Sequence, residues 1–120
     1  MADVVYLVQD MLFTSKIREA TKASGLSVQA TRDPVAFVAA AAAAKLVIID
    51  LRLPFALDAL SALAADANAK GVPSIGFIDH EKIDVMDEAT ARGCGRVMAK
   101  GQFANTLPRV LAGLTPPPAA

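Results

Sequence analysis

The chain has 120 residues, 54% of them hydrophobic, with 12 Lys and Arg against 12 Asp and Glu and a single cysteine, Cys94. That length suits one domain with its own core, and the apolar fraction excludes a disordered chain. The balanced charge argues against general nucleic-acid binding, which needs a basic excess, and one cysteine excludes both an intrachain disulfide and a cysteine metal cluster.

Residues 4–8 form a continuous apolar run with β-branched and aromatic members, the pattern of a buried strand. Residues 13–23 turn helical, with Phe13, Ile17 and Ala20 on one face and Gly25 suited to the C-cap. Residues 26–30 make a weaker strand. Asp33 and Pro34 suit an N-cap and first helical position, opening an alanine-rich helix over residues 34–44. Intrinsic helix preference explains the alanine run without a dimer surface. Leu46–Asp50 is apolar on both faces, as in the centre of a parallel sheet.

A second apolar helix is expected over residues 56–67, with Leu57, Leu60, Leu63 and Ala64 facing inward. Ser74–Ile78 is a fourth strand. A helix over residues 83–92 follows, with Ile83, Met86 and Ala89 or Thr90 inward, ended by Gly93, Cys94 and Gly95. Arg96–Ala99 is a fifth strand. The last helix carries Phe103, Leu107, Val110, Leu111 and Leu114. Pro108 is tolerable only near a helix start, which predicts regular helix from Asn105 or Thr106. Residues 115–120 read as a Pro/Ala-rich tail beyond a single domain spanning residues 1–114. Five β-α alternations with right-handed crossovers predict a doubly wound α/β sandwich.

Met1, Ala2 and Asp3 lack the basic start of a signal peptide, and the longest apolar stretch, residues 35–44, is too short to cross a bilayer. A cytoplasmic protein without membrane partners is expected.

Ligands of open α/β sheets bind beyond the carboxyl ends of the strands, at the switch point of the strand order. The residues there are Gln9 and Asp10, then Asp50, then Asp79, then Lys100. With the first and third strands adjacent, Asp10, Asp50 and Lys100 converge on one shallow site. Two carboxylates and a backbone carbonyl suit Mg²⁺, a hard cation that prefers oxygen. A lysine opposite them suits a phosphoryl oxygen. Each residue also has a plainer reading. Asp10 can cap the following helix, Asp50 can cap the turn after its strand, and Lys100 can serve Asp50 only as an electrostatic partner. Asp79 can be a first-turn acid, His80 a solvated loop residue and Cys94 buried filler.

These residues resemble the receiver domain of bacterial two-component response regulators, including the single-domain chemotaxis regulator. The resemblance runs from about Asp3 to Leu114. It rests on Val8, Gln9 and Asp10, on the segment Ile-Ile-Asp-Leu-Arg-Leu-Pro ending at Pro54, and on Met98, Ala99 and Lys100. It implies a flavodoxin-like α/β fold, with five parallel strands in the order 2-1-3-4-5 and helices on both faces. It makes Asp50 the phosphoacceptor for a histidine kinase. Asp10, Asp50 and the carbonyl of Arg52 become a weak Mg²⁺ site, and Lys100 becomes the phosphoryl or carboxylate partner. It also places a protein-binding face on the fourth helix, fifth strand and fifth helix, with Met86, Arg92, Arg96, Met98, Gln102 and Arg109 as candidates, joined by Glu88 and Ala112.

The departures are specific. Gln9 replaces one of two adjacent acids. Ile78 replaces the hydroxyl residue that contacts the phosphoryl group. Val97 replaces the aromatic switch residue, and Gly101 a proline. A two-state switch needs contacts that differ between its states, and both halves of the usual coupling are missing. The resemblance therefore implies an atypical or pseudo-receiver that acts by protein–protein contact. The competing expectation is a working receiver phosphorylated on Asp50 with Mg²⁺. A different α/β enzyme lacks any glycine-rich phosphate loop or nucleophile elbow to support it.

Overall fold

The computed structural model describes residues 1–114; the expected Pro/Ala tail lies outside the described residues. The elements alternate in chain order: β1 (Val4–Leu7), α1 (Met11–Ala23), β2 (Val28–Thr31), α2 (Pro34–Ala41), β3 (Leu46–Asp50), α3 (Ala56–Ala65), β4 (Ser74–Ile78), α4 (Ile83–Ala91), β5 (Arg96–Ala99) and α5 (Lys100–Ala112). All five strands are parallel, in the order β2-β1-β3-β4-β5. The order reverses between β1 and β3, so their carboxyl ends flank the crevice where ligands bind in such sheets.

The core divides along the two-residue period of the strands. Val5, Leu7, Val47 and Ile49 point to one face and pack with Phe37, Ala41, Leu60 and Leu63 of α2 and α3. Val4, Tyr6, Leu46 and Ile48 point to the other and pack with Phe13, Ile17, Phe103, Leu107 and Leu111 of α1 and α5. β1 and β3 are buried along their whole length, which is why both read as unbroken apolar runs. Gly76 of β4 gives Leu51 its place, since a Cβ there would lie 3.0 Å from Leu51 Cδ1.

Several expected boundaries shift. α1 begins at Met11 rather than Phe13, because Asp10 caps it by accepting a hydrogen bond from the Phe13 N–H at 3.1 Å. β2 runs from Val28 to Thr31 rather than over 26–30, because the turn after α1 continues through Leu26, whose N–H donates to Thr21 O. α2 stops at Ala41 and α3 at Ala65, short of the expected 44 and 67. α5 starts at Lys100, not near 105, and carries Pro108 in its interior. Two facing predictions also fail. Ala64 is exposed while Ala56 and Ala59 are buried, and Ile83 is 63% exposed while Ala89 is the buried residue of α4. Among the described residues no helix is long and apolar enough to cross a membrane.

Candidate functional site

Asp50 closes β3 and is 2% exposed. A buried carboxylate needs several donors and a counter-charge, and one residue supplies both. The backbone N–H of Arg52 donates to Asp50 Oδ1 at 2.9 Å. Arg52 Nε donates to the same oxygen at 2.9 Å, and Nη2 donates to Oδ2 at 2.8 Å. This is a two-pronged guanidinium–carboxylate pair, the strongest common geometry for such a contact. Its partner Asp50 raises the Arg52 pKa further above its ordinary value, chiefly through these hydrogen bonds.

Asp10 joins the same cation. Its Oδ1 accepts from the Phe13 N–H, and its Oδ2 lies 3.3 Å from Arg52 Nη2. The Phe13 N–H, with Arg52 adding to it, holds the Asp10 carboxyl below the usual carboxylate range. The guanidinium also rests above two rings, 5.6 Å from the Phe13 centroid and 5.9 Å from that of Phe77. Phe77 stacks on Phe103 at 4.5 Å. Arg52 is thus held on several sides between the two acids and an aromatic floor.

Lys100 takes a different partner. Its Nζ pairs with Asp79 Oδ1, and that hydrogen bond is the main cause of the lowered Asp79 pKa. The sheet register explains the choice. Ile78 pairs with Ala99, so the next residues of the two neighbouring strands, Asp79 and Lys100, emerge together. Asp50 pairs with Phe77, one strand further away. The expected meeting of Lys100 with Asp50 gives way to two neighbouring pairs, close enough that Arg52 also helps lower the Asp79 pKa. Asp10 and Asp50 are brought together; Lys100 is not brought to them.

The other expected residues fall as follows. Ile78 is 4% exposed in the apolar core, and Val97 packs against the same cluster. Cys94 is buried and donates to Arg96 O at 3.2 Å, and burial pushes its thiol pKa up. His80 is exposed in the turn before α4. One residue of the expected partner face is not at the surface: Met98 is 4% exposed and belongs to the core beside Phe103. Arg92 pairs at the surface with Glu88 at 2.9 Å and with Asp58 of α3 at 3.3 Å. Arg96, Gln102 and Arg109 remain exposed, Met86 half-buried.

No family model matches the sequence, and no curated protein does. Solved structures do match. The receiver domain of a response regulator from Rhodospirillum rubrum is 16% identical with a TM-score of 0.73, over 92% of this chain and 91% of that one. A chemotaxis response regulator of Vibrio cholerae is 18% identical with a TM-score of 0.76, over 96% and 99%. This chain shares the receiver fold. The receiver domain of a sensor histidine kinase from Pseudomonas aeruginosa is 19% identical with a TM-score of 0.77, over 94% and 96%, and holds a magnesium ion in its active-site cleft.

The residues here do not fit the Mg²⁺ expected from the sequence. Arg52 Nη2 stands 2.8 Å from the Asp50 oxygen and 3.3 Å from the Asp10 oxygen that would bind it. Gln9 brings no charge. Among the described residues no group of three or more His, Cys, Asp or Glu side chains could hold a metal ion. The side chain of Arg52 is the site residue that sequence reasoning missed, because it entered only as a backbone carbonyl. The available signal was a cation two residues after a buried strand-end acid.

Proposed function

We propose that the protein is a receiver-like signalling module of two-component type that acts through contact with another protein, without a phosphorylation switch at Asp50. The partner is a histidine kinase or a downstream effector, and the module itself is not an enzyme. The observation that carries this reading is the separation of Asp50 from Lys100: Arg52 holds the acid and Asp79 holds the lysine. A phosphoryl group on Asp50 would have to displace the guanidinium fork. It would then find no hydroxyl at Ile78 and no rotating aromatic at Val97. The proposed partner face comprises Arg92, Arg96, Gln102 and Arg109 with the half-buried Met86 at its margin. Arg96 and Arg109 make no side-chain ion pair among the described residues, so this face suits an acidic protein surface.

The test is amide NMR of the protein with Mg²⁺ and either acetyl phosphate or beryllofluoride. The expected result is no saturable shift at Gln9, Asp10, Asp50, Arg52 or Lys100 beyond any that Mg²⁺ alone produces. Saturable shifts at these positions that need the phosphodonor, are absent with Mg²⁺ alone and vanish in Asp50→Asn would overturn the reading in favour of a receiver phosphorylated on Asp50.

A further inference from the structure

We infer that Arg52 is the resident cation of this site: its guanidinium joins Asp10 and Asp50 in place of a divalent metal ion, and a divalent-cation site forms only when that side chain is removed. This deepens the reading of the strand ends as a receiver-like acid pair and rests on it, but it does not depend on whether Asp50 accepts phosphate.

The geometry is that of a bridging ion. One nitrogen, Nη2, reaches an oxygen of each acid, 2.8 Å from Asp50 Oδ2 and 3.3 Å from Asp10 Oδ2. The charges require such an ion. Two carboxylates sit together and the Asp50 side chain is only 3% exposed, so an unneutralised pair would be costly. Lys100, the other nearby cation, is committed to Asp79.

The guanidinium is also held in place before any metal arrives. The backbone N–H and Nε of the same residue grip Asp50 Oδ1, and the plane lies over Phe13 and Phe77. Little freedom is lost in keeping a planar fork so fixed. An intramolecular cation is present at every protein molecule, whereas a metal ion must be drawn from solution and partly dehydrated. Mg²⁺ binds its oxygens at about 2.0–2.1 Å, inside the space Nη2 fills. The two cations exclude one another.

Removing the side chain leaves Asp10 Oδ2 and Asp50 Oδ2 without the guanidinium and Asp50 Oδ1 with only the backbone N–H of residue 52. These are hard oxygen ligands, and only two carboxylates contribute, so the uncovered site binds weakly, on the order of millimolar.

The test titrates the wild type and Arg52→Ala with Mg²⁺ by amide NMR, and with trace Mn²⁺ by paramagnetic broadening. The wild type should show no saturable response. Arg52→Ala should respond saturably at Asp10, Asp50 and Leu53, and adding Asp10→Asn should weaken that binding by about tenfold or more. Should Arg52→Ala be unfolded without metal, Arg52→Gln is titrated in its place, and melting is followed with and without Mg²⁺. The inference requires Mg²⁺ to raise the Tm of the Arg52 variants and leave the wild type unmoved. It is overturned if the wild type binds as tightly as the variants, or if folded Arg52→Ala and Arg52→Gln both fail to bind. Neither result touches the proposed function, which the phosphodonors judge on the wild type.

Discussion

At the scale of single residues, two ion pairs are sorted by burial. The Asp50 carboxylate is almost wholly enclosed, and Arg52 supplies three of its donors. Removing one partner of a buried pair costs several kcal/mol, and the partial exposure of Arg52 reduces this. Arg52→Ala in metal-free buffer should therefore lose about 1–3 kcal/mol of stability in urea unfolding. The Asp79–Lys100 pair has both side chains 37% exposed, so Lys100→Ala should barely move the Tm. The same variant should raise the Asp79 titration midpoint in carboxyl NMR, since the lysine is the chief cause of its lowering. Asp10 and Asp79 both titrate below their unfolded values. On acidification the unfolded chain takes up these protons first. Their contribution to stability is complete above about pH 5, declines through the unfolded value and is lost as pH falls through the lowered folded values. Asp10, Asp50 and Lys100 were legible in the sequence as strand-end residues. Their pairing was not, because it depends on register. Lys100 lies at the end of β5, two strands from β3, while Asp79 ends the strand beside it.

Among the elements, α5 shows most clearly how burial overrides a local rule. Read from propensity, Pro108 confines the helix to residues after about 105. The helix instead begins at Lys100 and runs through the proline, leaving the Ala104 carbonyl without its usual donor. Phe103, Leu107 and Leu111 recur every fourth residue and are all buried, with Phe103 stacked on Phe77 at 4.5 Å. A start at residue 105 would leave Phe103 outside the helix. Burying such a side chain contributes about 1.5–3 kcal/mol, with a further ~0.5–1.5 kcal/mol from ring stacking. Together these come to about 2–4.5 kcal/mol, comparable to the ~3 kcal/mol that an interior proline costs. Pro108 is exposed at the rim of a surface cavity between α1 and α5, so its replacement removes little packing. Pro108→Ala should stabilise the protein by about 1–2 kcal/mol, the restored helix preference being partly offset by a freer unfolded chain. Chemical denaturation measures it, and a loss of stability would refute this account of α5. In α4 the misjudged residue was Ile83. Bulk made it look like the inward marker, whereas the close approach to the sheet is made by the small Ala89.

For the whole molecule, the β-α alternation and the two unbroken strands were enough to give the architecture, because each parallel strand buried on both faces must be continuously apolar. What the alternation left open was how evenly the two layers protect the sheet. β1, β3 and β4 are buried at every position. β2 is an edge strand whose Gln29 and Ala30 are exposed, held on one side only by β1. Stability within a fold follows such differences, because segments with few apolar contacts open without the rest. The site lies at the ends of β1 and β3, in the protected part, and its acids are gripped by Arg52 from the turn directly after β3. A switch that worked by loosening this end would have to break the most tightly packed strands of the sheet. Native-state hydrogen exchange tests that distribution. Amides of Val5, Val47, Ile48 and Ile49 should exchange only through global unfolding, with the full denaturant dependence of the protein. Gln29 and Ala30 should exchange faster and with little denaturant dependence, by local opening. Equal protection in β2 and β3 would refute this picture and make the sheet a single cooperative unit up to its edge.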